Sequence, residues 1–175
     1  HKFYKGANWD TIKRSRTRAR CFVLASVAVT LVFMCDAATY YVATNGNDLN
    51  SGTLSSPYST WNKGLSKLKA GDTLYIRGGT YHQTAYLSAA GTSSNRITVS
   101  SYPGERAVLD GQFTKPTGTW IAMFTVEGGY VTIQDLTIQQ GNWGGLLLNG
   151  PKSPALRVTR QRNMENGILL TGSAE

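Results

Sequence analysis

After Cys35 the sequence contains no cysteine, and His82 is the one histidine beyond that point. No zinc-ligand spacing, no phosphate-binding glycine loop and no Ser-His-Asp arrangement is present, and no disulfide framework exists for the bulk of the chain. Charge is also scarce: only 16% of the 175 residues are Asp, Glu, Lys or Arg, and acids are outnumbered 10 to 18. That surplus is unevenly placed. Residues 1–37 hold seven basic side chains against Asp10 and Asp36, which accounts for +5 of the net +8. The remainder carries only +3, too little to argue for a nucleic-acid partner.

Long apolar runs are lacking too, with one exception. The basic stretch Lys13–Arg20 is followed by an apolar stretch, Cys21–Met34, and then by the small residues Cys35, Ala37 and Ala38. This is the order of a signal peptide, with cleavage expected after Ala37 or Ala38 and no membrane attachment afterwards. The stretch is short for a span, although a single uncleaved anchor is the alternative. Because the chain opens on His1 with no Met before Met34, the native start is expected to lie further upstream, and residues 1–12 need not be native.

What is abundant is glycine (19 residues) together with Thr, Ser, Asn and Val, a composition for strands joined by tight turns. Thr39–Ala43 alternates as a strand and runs into Asn45–Gly52, a cluster of turn formers. Its oxygen-bearing side chains do not follow calcium-loop spacing. One helix is predicted over 59–69, with Trp61, Leu65 and Leu68 on one stripe, Ser59 as N-cap and Gly71 as stop. A single amphipathic helix ahead of many strands suits a cap over the open end of a β stack.

From Ile97 the pattern becomes periodic. Phe124–Gly128, Leu146–Gly150 and Ile168–Gly172 share one template of apolar, any, apolar, polar, Gly, and their starts follow one another at two equal steps. A second series is read from Leu136 with Val158 and from Val108-Leu109 with Val131-Thr132. A fixed period of this kind predicts a solenoid, specifically an all-β right-handed parallel β-helix; an antiparallel sandwich is the alternative. On that reading Phe124, Val126, Leu146, Leu148, Ile168 and Leu170 point inward. Thr125, Leu147, Leu169 and the column Glu127, Asn149, Thr171 point outward, and each template glycine supplies a positive φ at a corner. The domains expected are 1–38, extension and signal peptide; 39–96, cap with helix and first strands; and 97–175, the first coils, truncated at the C-terminus.

Candidate chemistry is thin. Asp110, Glu127 and Asp135 are the acids of the coils, one to a place, where calcium needs several converging oxygens. Lys152, Arg157, Arg160 and Arg162 form a basic cluster able to attract an acidic polysaccharide, with a solvated surface coil as the plainer reading. Arg160 aligns with the inward Ile138, and a register shift is expected to keep it out of the core. Trp120 and Trp143 fall near corners, where aromatic rings either stack on sugars or cover a coil edge. The substrate-binding set taken forward is Lys152, Arg157, Arg162 and Trp143.

Tyr40–Asp48, Gly52–Tyr58, Lys69–Tyr81 and Ile97–Glu105 together resemble the opening of secreted pectate-lyase-like parallel β-helix proteins, over roughly residues 39–172. That family includes calcium-dependent pectate lyases, related polysaccharide lyases, epimerases and uncharacterised β-helix repeat proteins. The resemblance implies an extracellular carbohydrate-active protein, monomeric at full length, that uses calcium and cleaves an acidic polysaccharide by β-elimination. It also implies that catalytic groups lie on later coils, so no catalytic residue is assigned. A non-catalytic β-helix for glycan binding or surface attachment is the alternative.

Overall fold

The computed structural model describes residues 37–115, 122–153, 155–156, 158–161 and 166–170. Residues 1–36 of the leader, Trp120, Arg157, Arg162, Thr171 and Gly172 lie outside these. Among the described residues, short runs with alternating apolar and β-branched residues form thirteen strands. These are β1 (Thr39–Val42), β2 (Thr73–Ile76), β3 (Gly79–Tyr81), β4 (Ala85–Leu87), β5 (Ile97–Ser101), β6 (Ala107–Asp110), β7 (Ala122–Val126), β8 (Val131–Gln134), β9 (Leu136–Gln139), β10 (Gly144–Leu148), β11 (Ala155–Leu156), β12 (Thr159–Gln161) and β13 (Asn166–Leu170).

The strands form three sheets, β1-β2-β5-β8-β11, β3-β6-β9-β12 and β4-β7-β10-β13, and all of these pairings are parallel. From β2 onward consecutive strands fall in different sheets, and the chain returns to the same sheet one coil later. Only a parallel β-helix does this, which removes the sandwich. Its coils are β2–β4, β5–β7, β8–β10 and β11–β13, with β1 stacked before the first.

The equal step of the template is the true coil length late in the chain, where Phe124 faces Leu146 and Leu146 faces Ile168. Earlier coils are longer: Thr73 faces Thr98, and Ile97 faces a partner as distant in sequence as Val131. The extra residues sit in the turns, so the strands keep their stacking. One sequence match is thereby corrected. Val108 faces Thr137 in one sheet and Val131 faces Ile97 in another, so they are not equivalent.

Inside the coils, apolar side chains stack in ladders at the spacing of neighbouring strands. Leu74–Val99–Ile133 is one; Leu87–Val126–Leu148 and Ala85–Phe124–Leu146 are others, and all of these side chains are buried. The inward set read from the template therefore holds for Phe124, Val126, Leu146 and Leu148, and Ile168 packs against the same core. Thr125 faces outward as expected but is not exposed. It lies on the outer face, yet between Tyr86 and Leu147 on adjoining strands it is buried.

No register shift occurs at Arg160, which stands directly opposite Ile138 in β12–β9 pairing. The template glycines Gly128 and Gly150 do not have positive φ; the corners are turned instead by Tyr130, Asp135, Gln140 and Lys152 at φ 53 to 56°. What Gly128 and Gly150 supply is room. A Cβ on Gly128 would collide with the Ala89 carbonyl oxygen, and one on Gly150 would collide with that of Gly128.

The helix is shorter than predicted: α1 spans Trp61–Leu65, with Thr60 rather than Ser59 as N-cap. Its stripe is as expected, because Trp61, Leu65 and Leu68 are buried and join the core of the coils. Gly71, at φ 95°, belongs to the turn into β2 rather than to the helix end. The preceding turn cluster holds the cap in place. Asp48 Oδ1 accepts from the Ser59 N–H, the Ser59 hydroxyl and the Thr60 N–H, each at 2.9 Å, and Oδ2 accepts from the Thr60 hydroxyl at 2.7 Å. Burial pushes this carboxyl up, but the four hydrogen bonds outweigh it and hold the pKa below its ordinary value. Among the described residues no helix is long and apolar enough to cross a membrane.

Candidate functional site

The acids singled out in the sequence do not converge. Asp110 ends β6, accepts from the Gln112 N–H at 2.8 Å and from Gln139 Nε2 at 2.9 Å, and is buried. Glu127 follows β7, is exposed, and accepts from Asn149 Nδ2 at 2.8 Å one coil further on. Asp135 turns the corner between β8 and β9 at φ 56°. These are three different places on the coil. Calcium takes roughly six to eight oxygens, several of them carboxylate. Among the described residues no group of three or more His, Cys, Asp or Glu side chains gathers, so these residues do not fit a calcium site.

Of the basic cluster, Lys152 and Arg160 are the members that fall within the described residues. Lys152 is exposed in the turn between β10 and β11, and its carbonyl accepts from Arg96 Nη2 at 2.5 Å. Arg160 lies on β12, in a different sheet from either strand flanking Lys152. Arg157 and Arg162 fall outside the described residues. Trp143, at the turn before β10, is 8% exposed, so it covers a coil edge and offers little ring surface to a sugar.

A different corner holds the more organised surface. On the outer face of the first sheet, Tyr41, Tyr75, Ser100 and Gln134 occupy one column. Tyr41 stacks on Tyr75 with centroids 5.9 Å apart, and Tyr75 meets Tyr102 nearly at right angles, at 5.8 Å and 81°. Arg77 lies over the Tyr102 ring at 4.8 Å and donates to both oxygens of Glu105, with Nη2 at 2.6 Å from Oε1. Glu105 also accepts the Gly78 N–H at 2.5 Å, and these donors, Arg77 first, hold its pKa below the ordinary carboxylate range.

Tyr75, Tyr102, Glu105, Arg106, Gln134 and Asp135 border a cleft of about 560 Å³ between this sheet and the β3-β6-β9-β12 sheet. Arg106 is exposed and is steadied by donating Nε to the Thr137 hydroxyl at 3.2 Å. The sequence alone does not reveal this corner. Arg77-Gly78-Gly79 reads as a plain turn, and Tyr41 and Tyr75 align only once the longer spacing of the early coils is known.

The fold and its surfaces can be set beside known proteins. A family model described as Pel9A-like, right-handed β-helix region, matches residues 40–175. The chain belongs to the Pel9A-like right-handed β-helix family. Among curated relatives, pectate lyase PEL9 of Emericella nidulans is 28% identical over 150 residues, covering 79% of this chain and 37% of the relative. The uncharacterized protein YwoF of Bacillus subtilis is 31% identical over 139 residues, covering 75% and 29%. The chain thus spans about a third of the curated relatives it matches.

Among solved structures, pectate lyase Pel9A superposes at a TM-score of 0.55 with 25% identity, over 66% of this chain and 31% of that one. A lacto-N-biosidase from Eubacterium ramulus superposes at 0.65 with 16% identity, over 76% and 30%, a likeness of fold alone.

Proposed function

We propose that this chain forms coils of an exported, extracellular polysaccharide lyase that cleaves an acidic, uronate-containing polymer by β-elimination. The family match over residues 40–175 carries this reading, supported by the pectate lyase among the relatives. Such a reaction removes the weakly acidic proton α to the uronate carboxylate and expels the sugar across the ring. Calcium, when bound, neutralises that carboxylate; the described residues supply no ligand set for it, and no step is assigned through them.

The described coils contribute a rigid parallel stack and an exposed cation at Lys152. With Arg157 and Arg162, Lys152 would raise the local concentration of an acidic polymer by long-range attraction. The test uses the full-length protein with polygalacturonate, alginate and rhamnogalacturonan, following the absorbance of the unsaturated product with and without a chelator. Chelator-sensitive product on one polymer is expected. Retention on a polymer with no product from any of them would overturn the lyase reading in favour of non-catalytic glycan binding.

A further inference from the structure

The cleft bordered by Tyr75 and Tyr102 is not explained by stacking of the coils. Outer-face residues of a solenoid need only be soluble, yet here two half-buried aromatic rings stand at 81° to one another beside an open volume of about 560 Å³. Clefts of this size lined by aromatic surface and a few polar groups are where small ligands bind. The rings themselves are fixed. Tyr41 backs Tyr75, and Arg77, held by Glu105, backs Tyr102. Fixed rings lose little freedom when a ligand stacks on them.

The polar rim narrows the ligand class. Gln134, Thr159 and Arg106 bring amide, hydroxyl and guanidinium groups to the same opening. A planar guanidinium can donate to two neighbouring hydroxyls, and amides and hydroxyls serve sugar hydroxyls equally well. Charge decides the rest. Arg77 and Glu105 neutralise each other, and Arg106 and Asp135 bring opposite charges to the lining, so the described side chains of the corner carry no net positive charge for a polyanion. An acidic polymer needs such a surplus; a neutral sugar needs a ring to stack on and hydroxyl partners.

We infer that this cleft is a binding site for neutral saccharide units, engaged by stacking on Tyr75 and Tyr102 and by hydrogen bonds from Arg106. The inference does not depend on the lyase reading, because binding of a neutral sugar and elimination on a uronate polymer are measured separately.

The experiment titrates the full-length protein calorimetrically with tetrasaccharides of galactose, arabinose, xylose and glucose at millimolar concentrations, with tetragalacturonate as the acidic comparison. At least one neutral tetrasaccharide is expected to bind saturably and more tightly than tetragalacturonate. Tyr102→Ala should weaken that binding by about tenfold, the loss of one aromatic contact. Because Tyr102 also touches Tyr41 and Tyr75, Arg106→Gln serves as a second variant at an exposed position, and a loss of several-fold with an unchanged thermal melt is expected. Failure of all four neutral probes to bind would overturn the inference. So would tighter binding of tetragalacturonate, or neutral binding that Arg106→Gln and a folded Tyr102→Ala both leave unaltered.

Discussion

Asn149 donates its side-chain Nδ2 to Glu127 Oε1 at 2.8 Å, and the two residues occupy the same place on successive coils. A column of polar residues on the outside of a solenoid can thus bond along the stack rather than await a ligand. Asp110 and Gln139 repeat the arrangement at another corner, at 2.9 Å.

Solvent limits what the exposed pair contributes. Glu127 is open to water, so a charge-assisted bond there exchanges with hydration at small net gain. Asn149→Ala is expected to lower stability by about 1 kcal/mol or less. Asp110, by contrast, is buried and accepts two bonds, so Asp110→Ala should cost about 2 kcal/mol by leaving Gln139 and the Gln112 N–H without that partner. Chemical denaturation of the two variants side by side checks the ranking, and equal losses would refute it.

The glycines at the template ends make a sharper prediction. A Cβ at Gly128 or Gly150 would collide with backbone, not with a side chain able to swing away. Either glycine replaced by alanine must push successive coils apart, at about 3 kcal/mol or more. Gly104→Ala is the control: its φ is 79° but its Cβ would meet nothing within 4 Å, so only conformational strain of about 1 kcal/mol applies. Melting temperatures should fall much further for the first two than for the third.

Such cases separate what a sequence reveals from what it hides. Period and alternation are visible because they are imposed by the stack itself; Phe124, Leu146 and Ile168 must sit one coil apart whatever the turns do. Turn length carries no such constraint. The longer early coils therefore hide the alignment of Tyr75 with Ser100 and Gln134, and with it the aromatic corner. The glycines stand out in the template, but for a different reason than positive φ, because sequence does not distinguish a glycine that needs that conformation from one that needs space. An unpaired inward cation is costly, which argues for a register break at Arg160, yet backbone pairing with Ile138 and its neighbours keeps the step.

Acid should loosen the same aromatic corner. The Glu105 pKa is held below its ordinary value of 4.5 by Arg77 and by the Gly78 N–H. A depressed carboxylate stabilises the fold fully above its unfolded pKa and loses that contribution as pH falls through the lower folded value. Asp48, lowered from 3.8 by its bonds to Thr60 and Ser59, behaves in the same sense at the cap. The melting temperature should therefore decline on acidification between about pH 5 and pH 2. Glu105→Gln should lower it at neutral pH and flatten that decline, the partly exposed pair contributing about 1 kcal/mol or less. A variant with an unchanged acid slope would remove Glu105 from the explanation.

The packing of α1 depends most on Trp61, which is fully buried and meets Tyr81 and Phe124 edge-on at 5.7 and 5.9 Å. Trp61→Ala would empty the space between α1 and the first coils, a loss of about 3–5 kcal/mol. The indole also carries a cost. Among the described residues its Nε1 has no hydrogen-bond partner, and an unsatisfied buried donor costs about 1–3 kcal/mol. Trp61→Phe removes that donor while keeping one aromatic ring against Tyr81 and Phe124, so the two effects oppose each other. The phenylalanine variant is expected to lose less than about 2 kcal/mol, clearly less than alanine. Denaturant unfolding followed by circular dichroism measures both. A phenylalanine variant as unstable as the alanine one would mean that the indole's shape, not its volume, closes the end of the helix.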